Sequence, residues 1–173
     1  YGSWYVPERH SVVFITEIVT EGTLKDFVIK ARGIRMRILR KWANQILDGL
    51  MYLHEQDPPI IHRDLKCENI FVKGEDGSIK IGDLGLSTQA ARAENSTLSV
   101  LGTPQFMAPE LYDEKYTETV DVYAFGMVIL EMVSRETPYS ECLLPMQVYK
   151  KVSKGIMPEV LDRVMHVATR DFI

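Results

Sequence analysis

The chain has 173 residues, 46% hydrophobic and 25% charged, with a formal net charge of -4. This composition suits a globular domain with its own core, and the acidic balance gives no electrostatic case for nucleic acid or an anionic membrane surface. The longest apolar run, Val122 to Leu130, falls far short of the roughly 20 residues of a membrane helix, so no direct membrane insertion is expected.

Tyr1 to Tyr5 carries neither a basic segment nor an apolar one, so it is not read as a signal peptide. The chain opens without Met and in mid-pattern, and reads as an excerpt of something longer. Ser11 to Ile18 is β-branched and aromatic, which predicts a buried strand. Glu21-Gly22 breaks it, and Thr23 is placed to cap a short helix from Leu24 to Ala31, with Asp26 at the third position. Arg32-Gly33 closes that helix.

A long helix is predicted over Met36 to Gln56. Ile38, Leu39, Trp42, Ile46, Leu50 and Leu53 recur at three- and four-residue spacings. Arg35, Arg37, Arg40 and Lys41 form a basic cluster that reads as a solvated face. Asp57-Pro58-Pro59 ends the helix. Asn69 to Val72 and Ser78 to Ile81 predict two strands around a Gly-Glu-Asp-Gly turn. Such a hairpin brings Asn69 and Asp83, at its outer ends, close together.

From Ser87 to Ser99 the sequence is polar and small, and predicts a surface loop. Asp121 to Val133 predicts a helix buried on most sides, ended by Thr137-Pro138-Tyr139. Pro145 starts another helix carrying Val148, Tyr149 and Val152, and Pro158 to Ile173 reads as further helix. Two cysteines, Cys67 and Cys142, make neither a disulfide framework nor a zinc site, which points to a reducing, cytoplasmic setting.

The chemistry concentrates in His62-Arg63-Asp64-Leu65-Lys66-Cys67-Glu68-Asn69, followed by Asp83-Leu84-Gly85. Asp64 can accept the proton of a hydroxyl, and Lys66 can set a positive charge on a transferring phosphoryl group. Asn69 and Asp83 are hard oxygen ligands suited to a divalent cation on phosphate oxygens. Any one of these residues alone is an ordinary turn former or cap. Their order and spacing, with Ala108-Pro109-Glu110 downstream, form the signature of the protein-kinase catalytic loop and its metal site. His62 is expected to be structural, packed against the Asp-Leu-Gly segment. Arg63 is placed to pair with a phosphorylated loop residue or a carboxylate. Thr103, in Gly-Thr-Pro, is either a turn residue or a contact of the catalytic loop.

The resemblance narrows further. The catalytic loop with Lys80-Ile81-Gly82-Asp83-Leu84-Gly85-Leu86 is similar to that of the With-No-lysine (WNK) kinases. So are the segments from Gly102 to Glu110, from Asp121 to Met127, and Pro138-Tyr139-Ser140-Glu141-Cys142. The resemblance implies an α+β, protein kinase-like fold. Residues 1–19 would be the end of the N-lobe strands and the hinge, and residues 20–173 an α-helical C-lobe, truncated at its C-terminus. It implies a Ser/Thr kinase that uses ATP and Mg²⁺ in intracellular signalling.

By position, Thr16 would be the gatekeeper behind adenine, and Glu17 to Val19 the hinge. Lys66, Asn69 and Asp83 would face the phosphates. Ser99 matches the family's activating phosphosite, with Ser96 and Thr97 as neighbouring acceptors. Glu110 and Asp121 fall at structural positions. The resemblance also implies Ste20-like kinases as substrates, control of ion transport, and a chloride site at Leu84, Gly85 and Leu86. Phe14 stands where a wall of that site is usually Leu. No Gly-rich phosphate loop or ATP-binding lysine strand is in the chain, so residues 1–173 alone are expected to show little or no activity. The alternatives are a non-catalytic scaffold with a kinase-like lobe, and a Ste20- or Raf-like kinase outside this family.

Overall fold

A computed structural model describes residues 1–31, 33–74, 76–84, 87–89, 102–113 and 116–173. The chain begins with a hairpin of β1 (Gly2–Val6) and β2 (Ser11–Ile15), paired antiparallel from Gly2 opposite Ile15 to Val6 opposite Ser11. The predicted strand is present but stops at Ile15 and is not buried: Val12, Phe14 and Ile15 are exposed. A two-stranded ribbon has only its own pairing to cover it, so its hydrophobic side chains face solvent.

Thr23 caps α1 (Leu24–Lys30) as expected. Its hydroxyl accepts from the Asp26 amide at 3.2 Å, while the Asp26 carboxylate accepts from the Thr23 amide at 2.9 Å. This reciprocal pairing satisfies two amides that a bare helix end leaves open. It also holds the Asp26 carboxyl below the usual carboxylate range.

The central helix α2 (Met36–His54) buries Leu39, Trp42, Ile46, Leu50 and Leu53 along one stripe, and Ile38 lies outside it, exposed. Burying each such side chain contributes about 1.5–3 kcal/mol. Strands β4 (Ile70–Lys73) and β5 (Ser78–Ile81) form the predicted hairpin, with Ile70 opposite Ile81. Trp42 ties α2 to the hairpin turn, its indole N–H donating to the Gly77 carbonyl at 2.8 Å. Gln45 accepts from the Ile79 amide at 3.2 Å.

Two short strands were not expected. β3 (Ile60–Ile61) pairs with β6 (Thr88–Gln89), so the segment after Ser87 starts as a strand rather than as loop.

The second pillar of the core is α3 (Thr119–Ser134), with ten buried positions from Val120 to Met132. It ends one turn before Thr137-Pro138, because Arg135 takes a left-handed conformation (φ 63°). The Arg135 side chain then reaches the Val28 and Ile29 carbonyls at the end of α1, at 3.4 and 3.3 Å. Pro145 opens α4 (Pro145–Val152), which buries Val148 and Val152. The C-terminal stretch is less helical than predicted: a 3₁₀ turn, Glu159–Arg163, and a short α5 (Val167–Phe172).

One hydrophobic core joins α1, α2, α3, α4 and the β4–β5 hairpin, and includes Leu65 and Cys67 of the catalytic loop. That loop is therefore fastened from beneath. Among the described residues no helix is long and apolar enough to cross a membrane.

Candidate functional site

The loop between β3 and β4 enters the core at His62, Leu65 and Cys67, all fully buried. The polar side chains of Asp64, Lys66 and Asn69 stand among these anchors and meet one another. Asp64 and Asn69 are nearly buried, at 8% and 6% exposure.

Asp64 is held on both carboxylate oxygens. Its Oδ1 accepts from the Thr103 hydroxyl at 2.8 Å and from the Thr103 amide at 3.1 Å. Its Oδ2 faces the Lys66 ammonium at 2.8 Å and accepts from the Asn69 amide nitrogen at 2.9 Å. Lys66 also donates to Thr103 Oγ1 at 2.7 Å. Thr103 can do both because its oxygen accepts from Lys66 while its hydrogen goes to Asp64. Four predicted residues, Asp64, Lys66, Asn69 and Thr103, thus form one closed network. An ionised carboxylate only accepts hydrogen bonds, and four donors fix its direction.

Asn69 spends its two N–H groups on Asp64, on Oδ2 and on the main-chain carbonyl at 2.8 Å. Its amide oxygen therefore points away from those donors. The Gly82 amide donates to the Asn69 carbonyl at 2.8 Å, extending the β4–β5 ladder by one pair. Asp83 follows at once, exposed, in a left-handed conformation (φ 57°). The hairpin thus sets Asp83 one residue beyond the pair that Asn69 closes. An amide oxygen and a carboxylate are the donor types that a hard divalent cation takes.

His62 is fully buried. Its Nε2 lies 3.0 Å from the Gly82 carbonyl, and its Nδ1 accepts from the Asp64 amide at 3.3 Å. It links the catalytic loop to the residue before Asp83. Asp121, also fully buried, accepts from the main-chain amides of His62 at 2.8 Å and Arg63 at 2.9 Å. The His54 ring nitrogen lies 2.8 Å from the same carboxylate. Arg63 takes a left-handed conformation (φ 67°), and Asp121 holds its amide there. The Arg63 guanidinium donates to the Tyr116 hydroxyl at 3.2 Å.

The hinge residues lie apart from this network. Thr16 is exposed, and Val19 is half-buried, in a stretch without regular structure. Glu17 instead ion-pairs with Lys73 on β4 and Lys80 on β5. Lys73 first, then Lys80, pulls the Glu17 carboxyl down from 4.5 to about 2. Glu110 sits half-buried in the 3₁₀ turn Pro109–Asp113 and makes no ion pair among the described residues. Leu84 is exposed. Gly85, Leu86, Ser96, Thr97 and Ser99 lie outside the described residues.

Four residues were not singled out from the sequence: His54, Tyr116, and the pair Lys25 and Glu131. Glu131 did leave a signal, being a lone acid closing the apolar run that starts at Val122. His54 and Tyr116 left none, because their contacts depend on chain crossings.

A model of the protein kinase domain matches residues 3–166. A protein of Arabidopsis thaliana named as probable serine/threonine-protein kinase WNK4 is 53% identical over 173 residues, all of this chain and 30% of that protein. The serine/threonine-protein kinase WNK of Caenorhabditis elegans is 52% identical over 157 residues, 91% of this chain and 8% of that protein. The chain therefore spans less than a third of either relative.

Proposed function

Since the chain belongs to the protein kinase domain family, in its WNK branch, we propose that the full protein is a Ser/Thr kinase that transfers the γ-phosphoryl of ATP to protein hydroxyls. The observation that carries this reading is the closed network of Asp64, Lys66, Asn69 and Thr103. In it a carboxylate is fixed by four donors and flanked by a cation.

The substrate hydroxyl oxygen forms a bond to the γ-phosphorus as the bond to the ADP oxygen breaks, and Asp64 accepts the hydroxyl proton. Lys66 sets positive charge beside the charge that builds on the phosphoryl oxygens. Thr103 links base and cation, so neither turns without the other. Asn69 and Asp83 would hold Mg²⁺, which neutralises phosphate charge when bound. Thr16 and the Glu17 to Val19 stretch would meet adenine.

Cytoplasmic signalling, Ste20-like kinase substrates and a chloride ligand beside Leu84 extend the proposal on family resemblance. The two cysteines, both unpaired, fit a reducing compartment. A scaffold role is not favoured, since Asp64, Asn69 and Asp83 are all retained. The test is phosphoamino-acid analysis of a general protein substrate incubated with the full-length protein, ATP and Mg²⁺. Phosphoserine and phosphothreonine are expected. Phosphotyrosine alone, or no transfer, would overturn the reading.

A further inference from the structure

The stretch from Thr16 to Thr20 has no regular structure, and Ile18 within it is 85% exposed. The Thr16 and Thr20 hydroxyls bond only to the residue that follows each of them, at 3.5 and 3.3 Å. Among the described residues, Glu17 alone reaches from this stretch to a distant part of the chain. Its Oε1 pairs with the Lys73 ammonium and its Oε2 with the Lys80 ammonium. Each carboxylate oxygen is thus taken by a different strand of the β4–β5 hairpin. The Glu17 carboxylate raises Lys73 in turn, so this pair keeps its charges through the neutral range.

The two lysines share the outer face of that hairpin. Lys80 lies opposite Phe71 and Lys73 opposite Ser78, while Ile70, Val72 and Ile79 alternate with them into the core. The chain beyond Glu17 returns to the same hairpin: the Val72 amide donates to the Gly22 carbonyl at 3.0 Å, and Thr23 bridges to Phe71. Residues 17 to 22 are therefore pinned at both ends, by side-chain charge at Glu17 and by main chain at Gly22. A single exposed ion pair fixes little, because water competes and two long side chains must be ordered. Here one carboxylate, its side chain 30% exposed, serves two lysines, so the second pair orders only one further side chain. The hairpin that does the pinning is the one whose outer ends carry Asn69 and Asp83, and Lys80 stands three residues before Asp83.

We propose that Lys73 and Lys80 are positioning residues for the nucleotide: through Glu17 they fix residues 16–20 relative to Asn69 and Asp83, and so set the spacing between the adenine end and the phosphate end of the ATP site. The proposal rests on the kinase reading and on the place it gives residues 16–19 at adenine, and adds what holds that stretch there. One hairpin then gauges both ends of the ligand. Neither lysine touches the nucleotide; both act through Glu17.

The test uses the full-length protein with Lys73→Gln and Lys80→Gln combined. KM for ATP should rise about three- to tenfold, since two partly exposed pairs hold the stretch and a less populated competent state lowers affinity in proportion. The value of kcat should stay close to the wild type. Lys73→Arg with Lys80→Arg keeps both charges and should keep the wild-type KM. An unchanged KM in the glutamine variant overturns the proposal and leaves the two pairs as surface salt bridges.

Removing two cations also weakens the field on an anionic ligand, so two competitive inhibitors separate the effects. Adenosine carries the base without charge, and inorganic tripolyphosphate carries charge without the base. In the glutamine variant the inhibition constant of adenosine should rise with KM, while that of tripolyphosphate stays at the wild-type value. Equal rises for both, or a rise for tripolyphosphate alone, would mean that the lysines act on ATP by charge, and the proposal falls. If the wild type turns over no ATP, the kinase reading fails. Adenosine binding followed by calorimetry, which needs no turnover, then decides whether the lysines hold an adenine site: weaker binding by the glutamine variant supports it, and equal affinities or no binding overturn it.

Discussion

The Thr103 hydroxyl donates to Oδ1 of Asp64 at 2.8 Å, across 39 residues of chain. The same oxygen accepts from Lys66 at 2.7 Å. Thr103 is thus the joint between the Asp64 carboxylate and the Lys66 ammonium. Thr103→Val should lower kcat/KM roughly 10- to 100-fold, the range for losing a hydrogen bond to a charged group. Thr103→Ser keeps the hydroxyl and should restore most of that loss in the same steady-state assay.

Asp121 satisfies the amides of His62 and Arg63 from beneath the loop. Asp121→Ala leaves those amides and His54 without their acceptor, beneath a loop where Asp121 and His62 have no exposed surface. The expected cost is about 3 kcal/mol or more, measured as a lower urea midpoint. Asp121→Asn keeps one acceptor oxygen and should cost less.

Gly102 precedes Thr103 with φ at +134°, and a Cβ there would stand 3.2 Å from the Arg63 carbonyl oxygen. Neither backbone can yield easily, since Asp121 holds Arg63. Gly102→Ala should destabilise the protein by about 1–3 kcal/mol and lower its melting temperature. Activity should fall too, because Thr103 moves with its neighbour.

Glu17 gives a pH signature. Its carboxyl sits near 4.5 when unfolded and about 2 when paired with Lys73 and Lys80. Above about pH 4.5 it is ionised in both states and its stabilisation is fully present. As the pH falls from there towards 2, the unfolded chain takes up the proton first and the stabilisation is lost. Urea midpoints of wild type and Glu17→Gln should therefore differ at neutral pH and converge across that window. A constant gap would show that the Lys73 and Lys80 pairings do not act through this charge.

The catalytic loop and its hairpin were legible because each residue type is forced by local chemistry. A strand–turn–strand pattern placed Asn69 and Asp83 at one end, and the ladder extends through Gly82 to Asn69 as that pattern requires. The cap at Thr23 and the long apolar stripe of α2 were legible for the same reason. The extent and exposure of β2 were not. Phe14 and Ile15 have the composition of a buried strand, but composition does not say what covers a strand. The pairing of Thr88 with Ile61 joins distant, short segments with no periodicity to betray them. Nothing in the sequence singles out Lys25, and only the packing of α1 against the loop and α3 gives it two carboxylate partners.

The most direct test replaces the base itself. Asp64→Asn keeps the size of the side chain and one acceptor oxygen but removes the charge. The full-length Asp64→Asn protein should show a fall in kcat of about 10²- to 10⁴-fold, the usual contribution of a general base, with circular dichroism showing that it still folds. Equal phosphoryl transfer by the two proteins would contradict the assignment of Asp64 and the mechanism built on it.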